Sequence, residues 1–285
     1  KAVRGVVMLS RRAFIGTLAA APLAAQKGGP ANPVGCQTNA FKDPTDLPGL
    51  LKLLEIIKSA GYAGFETNVR NTMLGDAPAA GVRQQWGGTG LRFIGPHVNL
   101  RQGVEALRPA IERTAALGGE KLVTSGAALV KEGQISEAEV KAKAAQLSQL
   151  GNLCRQHGVA LTYHNHKGEF LLEAAEMEGL IRQTDPEVVS FMMDSGHVHL
   201  AGMKPGAFLR KHGRRIDCIH IRNVGPDEKR VRLGTGLPDL GELAAAIRDT
   251  QWRGWLINEP ELRTADTALA TASIKSDRAY MKQIF

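Results

Sequence analysis

Short apolar runs alternate with longer amphipathic segments from residue 32 to the end of the chain. The runs have the length and continuous apolar character of buried parallel strands, and the longer segments repeat apolar residues at helical spacing. The pattern predicts eight strands, at Pro33–Gln37, Ala63–Glu66, Leu91–His97, Lys121–Ser125, Ala160–His164, Val188–Asp194, Asp217–Ile221 and Trp255–Glu259. It predicts helices near Leu47–Ser59, Val82–Gly87, Val104–Leu117, Ser136–His157, Glu173–Gln183, Gly206–Lys211, Leu240–Asp249 and Thr267–Gln283. Eight strand–helix units of about thirty residues each indicate an α/β fold of the closed (β/α)8 TIM barrel type.

Residues at the predicted boundaries support this division. Ser136 with Glu139 forms a capping-box pattern at a helix start, and Asp239 is a good cap for a later helix. A doubly wound open sheet is the alternative, but it needs a glycine-rich nucleotide turn after the first strand, and Gly35–Gln37 is no such turn. The segment 68–90 contains five glycines and one proline, so it is predicted either as the second helix or as a loop over the barrel mouth.

The start of the chain is typical of an export signal. Ser10–Ile15 contains paired arginines, and the alanine-rich stretch Gly16–Ala25 follows it. A basic start, a short apolar middle and a small-residue end describe a secretory signal, and the paired arginines indicate the twin-arginine route. A short helix of the domain is the alternative. We expect a periplasmic protein divided into a signal peptide (1–25, with 1–7 upstream of the native start), a linker (26–31) and one catalytic barrel domain (32–285).

Charge and cysteine content narrow the function classes. The net charge is +8, and residues 1–25 hold four basic and no acidic residues, which leaves +4 for the rest. Lysine and arginine form no stripe with interleaved aromatic residues, which make up only 5% of the chain, so a nucleic-acid footprint is not visible. The three widely spaced cysteines form no disulfide framework. We expect no nucleic-acid or membrane partner, and a homo-oligomer stays open.

Ionisable side chains stand at the carboxyl ends of the predicted strands, which is where the active sites of such barrels lie. They are Glu66, His97, His164, His166, Asp194, His220 and Glu259. So many desolvated polar groups in one mouth are costly without partners, and a divalent cation removes that cost. Imidazoles mixed with carboxylates suit Mn²⁺, Co²⁺, Zn²⁺ or Fe²⁺ better than Ca²⁺ or Mg²⁺. The sequence therefore predicts one divalent metal ion at the barrel mouth.

Six motifs occur together and in order along the chain. They are GYAGFE at Gly61–Glu66, HNH at His164–His166, MDSGH at Met193–His197, HIRN at His220–Asn223, GTG at Gly234–Gly236 and NEPE at Asn258–Glu261. The set resembles the sugar phosphate isomerase/epimerase superfamily of xylose isomerase-like TIM barrels, which also contains ketose 3-epimerases, inosose dehydratases and endonuclease IV. The resemblance covers about residues 32–285 and implies a metal-dependent enzyme that acts on a carbohydrate.

The resemblance also implies metal ligands. The family holds one divalent ion with a Glu, an Asp, a His and a Glu that follow the fifth to eighth strands. Matched by motif, the last three are Asp194, His220 and Glu259. This chain departs at the first ligand, because HNH replaces the family's Glu-Asn-His. Either His164 itself or Glu169, five residues further on, is therefore expected to supply it.

The family's chemistry sets the expected reaction. Its epimerases move a proton with two carboxylates on opposite faces of the substrate, next to a metal-bound carbonyl and through an enediolate. In this chain Glu259 is the expected base, with His164, Glu169 or Glu66 as its partner. The residues expected to contact the substrate are His197, Glu66, His97, His166 and Arg222.

Several functions remain consistent with this site. An isomerase or epimerase of a sugar or keto-sugar is favoured. A lyase of the inosose dehydratase type, or one that eliminates from a keto-glycoside, is the first alternative, because His164 replaces a carboxylate. A non-catalytic sugar-binding barrel is the second. An endonuclease IV-like phosphodiesterase is disfavoured, since that chemistry needs three metal ions and a basic DNA face.

Overall fold

The computed structural model describes residues 32–74 and 78–285. Its strands are β1 (Val34–Gln37), β2 (Gly64–Asn68), β3 (Arg92–Asn99), β4 (Lys121–Ser125), β5 (Ala160–His164), β6 (Ser190–Asp194), β7 (Ile216–Ile221), β8 (Asn223–Val224), β9 (Arg230–Val231) and β10 (Trp255–Asn258). All but β8 and β9 close a parallel barrel in the order β1-β10-β7-β6-β5-β4-β3-β2. The predicted (β/α)8 barrel is therefore confirmed. The predicted signal peptide and linker lie outside the described residues.

Helices cover the outside of the barrel. They are α1 (Leu47–Ser59), α2 (Val69–Thr72), α3 (Ala79–Gly88), α4 (Arg108–Ala116), α5 (Glu137–Gln156), α6 (Leu171–Gln183), α7 (Ser195–Leu200), α8 (Pro205–His212), α9 (Leu240–Asp249) and α10 (Thr267–Ile284). Where the sequence left helix or loop open, after β2, the chain forms the two helices α2 and α3. Among the described residues, none of these helices combines the length and apolar character needed to cross a bilayer.

The predicted caps stabilise two of these helices. The hydroxyl of Ser136 accepts a hydrogen bond from the Glu139 backbone N–H at the start of α5, at 3.4 Å. Asp239 Oδ1 accepts one from the Gly241 N–H at the start of α9, at 2.9 Å. Each cap satisfies a backbone donor that the first turn of a helix leaves free. The chain therefore turns from strand to helix where the sequence predicts it.

Three strand residues inside the barrel set the direction of the polar side chains above them. Met192, Cys218 and Ile257 belong to a fully buried cluster contributed by strands alone. Successive side chains of a strand alternate between its two faces, so the residue two positions further on also faces the barrel interior. Those residues are Asp194, His220 and Glu259. The apolar core therefore forms a floor beneath three of the predicted metal ligands.

Candidate metal centre

Four side chains from four neighbouring strands converge at the mouth of the barrel. They are His164, Asp194, His220 and Glu259, and one donor atom of each lies within 4.8 Å of all the others. Strand register brings them together, because Asp194 of β6 pairs directly with His220 of β7. None of the four is more than 7% exposed. Residues almost a hundred positions apart thus share one buried site.

Within the part of the chain that the structure describes, the donor atoms of this cluster have no hydrogen-bond partner. They are His164 Nε2, Asp194 Oδ2, His220 Nδ1 and Glu259 Oε2. Asp194 Oδ2 lies 3.6 Å from His164 Nε2 and 3.9 Å from His220 Nδ1, which in turn lies 3.4 Å from Glu259 Oε2. Buried polar atoms are rarely left unpaired, and four that face one another indicate a missing common partner. Two imidazole nitrogens and two carboxylate oxygens are a donor set that fits Zn²⁺, Mn²⁺, Fe²⁺ or Co²⁺.

The two imidazoles of the cluster differ in charge. Burial in the mouth lowers the pKa of His164 to about 3, so this ring is neutral and keeps a lone pair for a cation. Burial also lowers the pKa of His220, but Glu66 and Glu259 on either side outweigh it and raise the pKa to about 10. In the absence of a cation, His220 therefore carries the proton that balances the surrounding carboxylates.

Two arginines hold the carboxylates of the cluster from outside. Arg222 is 4% exposed, and its Nη2 lies 3.1 Å from Asp194 Oδ1. Arg230, in the β8–β9 hairpin, places Nη2 2.5 Å from Glu259 Oε1. Burial raises the pKa of Asp194, but Arg222 and His197 lower it to about 2. Arg222 and Arg230 likewise help to hold the pKa of Glu259 well below its ordinary value against the effect of burial. Both carboxylates are therefore ionised.

A cavity of about 170 Å³ opens above the cluster. Its lining is polar and includes Gln37, Asn39, Glu66, His97, His166 and Glu259. Glu66 is fully buried, and its Oε2 accepts hydrogen bonds from His97 and His220. Burial raises the pKa of Glu66, but these two imidazoles outweigh it and lower the pKa well below the usual range. A small hydrophilic ligand would fit here, next to the candidate metal.

Comparison with known proteins assigns the family. The model of the xylose isomerase-like TIM barrel family matches residues 54–284, which is most of the chain. The chain belongs to this family. Glu66, Asp194, His220 and Glu259 all lie within the matched region.

The curated relatives and the solved structures that resemble this chain are named as different enzymes. An inosose dehydratase of Lacticaseibacillus casei is 30% identical over 133 residues, which are 40% of this chain and 45% of that protein. A D-allulose 3-epimerase from Methylomonas sp., solved in complex with D-allulose, has a TM-score of 0.73 at 17% identity and covers 89% of this chain and 97% of its own. A sugar phosphate isomerase/epimerase from Parabacteroides distasonis has a TM-score of 0.69 at 18% identity, over 91% and 96%.

These likenesses support the fold more strongly than the activity. The chain spans about half the length of the curated relatives it matches, at 45% and 50% for two of them. The solved structures share too little sequence to show more than a common fold. The family match shows a xylose isomerase-like barrel. The structure adds a buried cluster suited to a divalent metal.

Of the two alternatives for the first ligand, the structure brings only His164 to the cluster. Glu169 is fully buried elsewhere, where it accepts hydrogen bonds from the Tyr163 hydroxyl at 2.8 Å and the His166 backbone N–H at 3.1 Å. Tyr163 precedes His164 in β5, so it faces the helices rather than the barrel interior. Lys143 of α5 lies 3.8 Å from Glu169 on that side. The predicted catalytic role of Glu169 is therefore not supported.

The residues predicted to contact the substrate lie in three places: in the cavity lining, in α7 and behind the metal cluster. Glu66, His97 and His166 line the cavity. His197 lies in the first turn of α7, where its backbone N–H donates to Asp194 Oδ1 at 2.9 Å and its ring lies 5.0 Å from that of His166. Arg222 is different, because it lies behind the carboxylates of the cluster and not in the cavity lining. Its predicted substrate contact, like that of His197, stays a prediction.

The sequence analysis did not identify Arg230 as a residue of the site. It reaches Glu259 from a hairpin whose strands have only two residues each. So short a pair has no readable periodicity, and the spacing of 29 residues between Arg230 and Glu259 carries no signal either. Only the fold places the two side chains together.

Proposed function

We propose that the protein is a divalent-metal-dependent isomerase or epimerase of a sugar or keto-sugar. The observation that carries the proposal is the set of four donor atoms at the base of a polar cavity that are unpaired among residues 32–74 and 78–285. A divalent ion held by His164, Asp194, His220 and Glu259 would supply Lewis-acid polarisation of a substrate carbonyl. The residues around it would bind the substrate and move a proton.

Glu259 is the proposed base, since it is ionised and lines the cavity. The guanidiniums that keep its pKa low also make it a weak base. It can therefore remove only an acidified proton, such as one on a carbon next to a carbonyl. This limits the substrates to aldehyde or keto forms and supports a sugar or keto-sugar.

A dehydratase or lyase is the second candidate. His164 stands where the family's epimerases have their second carboxylate, so this chain has one carboxylate fewer for returning a proton on the opposite face. Proton removal by a single base, followed by loss of water, needs no such partner. The similarity to an inosose dehydratase favours the same reading.

Proton exchange in D₂O tests the proposal and separates the candidates. Protein loaded with Mn²⁺, Co²⁺ or Zn²⁺ is incubated with free ketoses, keto-sugars and inososes and followed by nuclear magnetic resonance. Deuterium next to the carbonyl together with a new isomer supports an isomerase or epimerase. Loss of water without an isomer supports a dehydratase. Absence of deuterium exchange with every sugar contradicts both the isomerase and the dehydratase. Binding of a sugar without turnover supports a non-catalytic sugar-binding barrel instead.

We also propose export, from the sequence of residues 1–25 alone. Sugar phosphates are mostly cytoplasmic, so an exported enzyme would act on free or oxidised sugars in the periplasm. Replacing Arg11 and Arg12 with lysine should leave the protein in the cytoplasmic fraction of a bacterial host, whereas the unchanged chain enters the periplasm. Equal distribution of the two would contradict the proposal.

A further inference from the structure

We propose that Glu66 is a positioning residue that holds a metal ligand and a cavity residue with one carboxylate oxygen. Its Oε2 lies 2.8 Å from His220 Nε2 and also 2.8 Å from His97 Nε2. This role differs from that of a base or a ligand. The inference rests on the proposed metal centre, and it states how the barrel prepares that centre.

The contact with His220 decides which ring nitrogen faces the other ligands. A carboxylate oxygen can only accept, so Nε2 is the protonated nitrogen and donates to Glu66. Nδ1 then points to Asp194 and Glu259 and has no hydrogen bond to any residue that the structure describes. A carboxylate behind a metal-binding imidazole fixes the orientation of the ring and strengthens it as a ligand. Glu66 is placed to do this for His220.

The same oxygen orients His97. This side chain is 22% exposed and lines the cavity. With Nε2 committed to Glu66, Nδ1 is the ring nitrogen that His97 keeps for a substrate. The centroids of the His97 and His220 rings lie 5.6 Å apart and their planes are within 27° of parallel. Both rings reach the same carboxylate oxygen. Glu66 thus connects the candidate metal centre to the substrate cavity.

The position of Glu66 in the barrel makes it rigid. The side chain is fully buried within β2, where the residue pairs with Gln37 of β1. Gln37 Nε2 lies 3.4 Å from Oε2, so three nitrogens surround this oxygen. Oε1 has no partner among the described residues and is left to accept a substrate hydroxyl. In this proposal Oε2 positions the two imidazole rings, and Oε1 is free to make the substrate contact that the sequence predicts for Glu66.

Metal affinity tests the inference without relying on activity. Metal-free wild type, Glu66→Gln and Glu66→Asp are titrated with Zn²⁺ against a chromophoric chelator, and folding is checked by circular dichroism. We expect Glu66→Gln to weaken Zn²⁺ binding by about 10- to 100-fold, the usual cost of losing such a partner. Glu66→Asp keeps the charge but shortens the reach, so we expect an intermediate loss. It also serves if the glutamine variant does not fold.

Two matched variants sharpen the comparison. Glu176→Gln alters another fully buried glutamate, which contacts Lys143 away from the cluster, and should leave Zn²⁺ affinity unchanged. His97→Asn removes only the second partner of Glu66 and should also leave it unchanged. Unaltered Zn²⁺ affinity in both Glu66 variants would overturn this inference but not the proposed function. Two Zn²⁺ per chain, with one lost in Glu66→Gln, would do the same by making Glu66 a ligand. A wild type that binds no metal would overturn the proposed function as well.

Discussion

His164 changes the charge of the candidate centre by one unit relative to the family's usual ligands. Two imidazoles and two carboxylates balance one divalent ion, whereas the family's set of three carboxylates exceeds it. Arg222 is buried, and its Nη2 lies 3.1 Å from Asp194 Oδ1, so it adds further positive charge. With a divalent ion bound, such a centre would stabilise negative charge that develops on a substrate oxygen. Under the proposed function, His164 would strengthen this electrostatic stabilisation and leave one carboxylate fewer for proton transfer.

At the same scale, the metal content of the protein should depend on His220. We expect about one transition-metal ion per chain in the wild type and a loss of at least tenfold in affinity in His220→Ala, because Nδ1 faces the cluster. Elemental analysis after dialysis measures this. His212→Ala is the control, since His212 pairs with Glu178 at 2.8 Å on the helical layer. Equal metal content in both variants would contradict the assigned ligand.

Arg222 should matter most when no metal is bound. Arg222→Leu leaves the buried carboxylate of Asp194 without its guanidinium and leaves Glu259 with that of Arg230 alone. Breaking a buried pair costs about 3 kcal/mol. We expect a lower free energy of unfolding in urea for the metal-free variant, partly restored by Zn²⁺. Arg210→Leu, which removes surface ion pairs to Glu242 and Asp249, should leave stability unchanged. Equal effects of the two substitutions would count against the buried role.

At the scale of elements, α10 is joined to the barrel mouth through Asp277. Its carboxyl accepts hydrogen bonds from the Leu233 N–H in the loop after β9 and from the Asn258 side chain at the end of β10, each at 3.2 Å. Burial and the nearby Glu261 raise the pKa of Asp277 to about 6. The helix therefore holds the residue next to Glu259 through a group that titrates close to neutrality.

This contact predicts a pH-dependent stability. Between about pH 4 and 6 the folded chain keeps the Asp277 proton that the unfolded chain releases, so the free energy of unfolding falls as pH rises, by about 3 kcal/mol from this group. Asp277→Asn should remove that fall. Urea unfolding of both proteins at pH 4 and pH 7 measures the difference. Asp249→Asn, on the surface, should behave like wild type, and parallel pH profiles for wild type and Asp277→Asn would refute the prediction.

At the scale of the whole molecule, the sequence predicts the barrel well and the site in part. Buried parallel strands are continuous apolar runs, so all eight were predictable, and polar residues at their ends marked His164 and His220. The sequence left Glu169 open as an alternative to His164, because a distance along a loop does not say on which side of β5 a residue lies. Arg230 was missed because its neighbourhood arises only when the hairpin folds over the mouth. Hydrophobic periodicity and composition predict strands, but they do not predict which loop residues come into contact.

Because the four ligands come from four strands, metal binding and folding of the barrel should be linked. An unfolded chain cannot hold His164 and Glu259 at one ion, so Zn²⁺ stabilises only the folded state. At a free concentration a hundred times its dissociation constant, the gain in the free energy of unfolding should be about 2.7 kcal/mol. Urea unfolding in Zn²⁺ and in chelator measures this gain. Asp194→Asn should lose most of the stabilisation by Zn²⁺, and His212→Ala should keep it. If Zn²⁺ did not change the unfolding midpoint of the wild type, the cluster would not be a metal site.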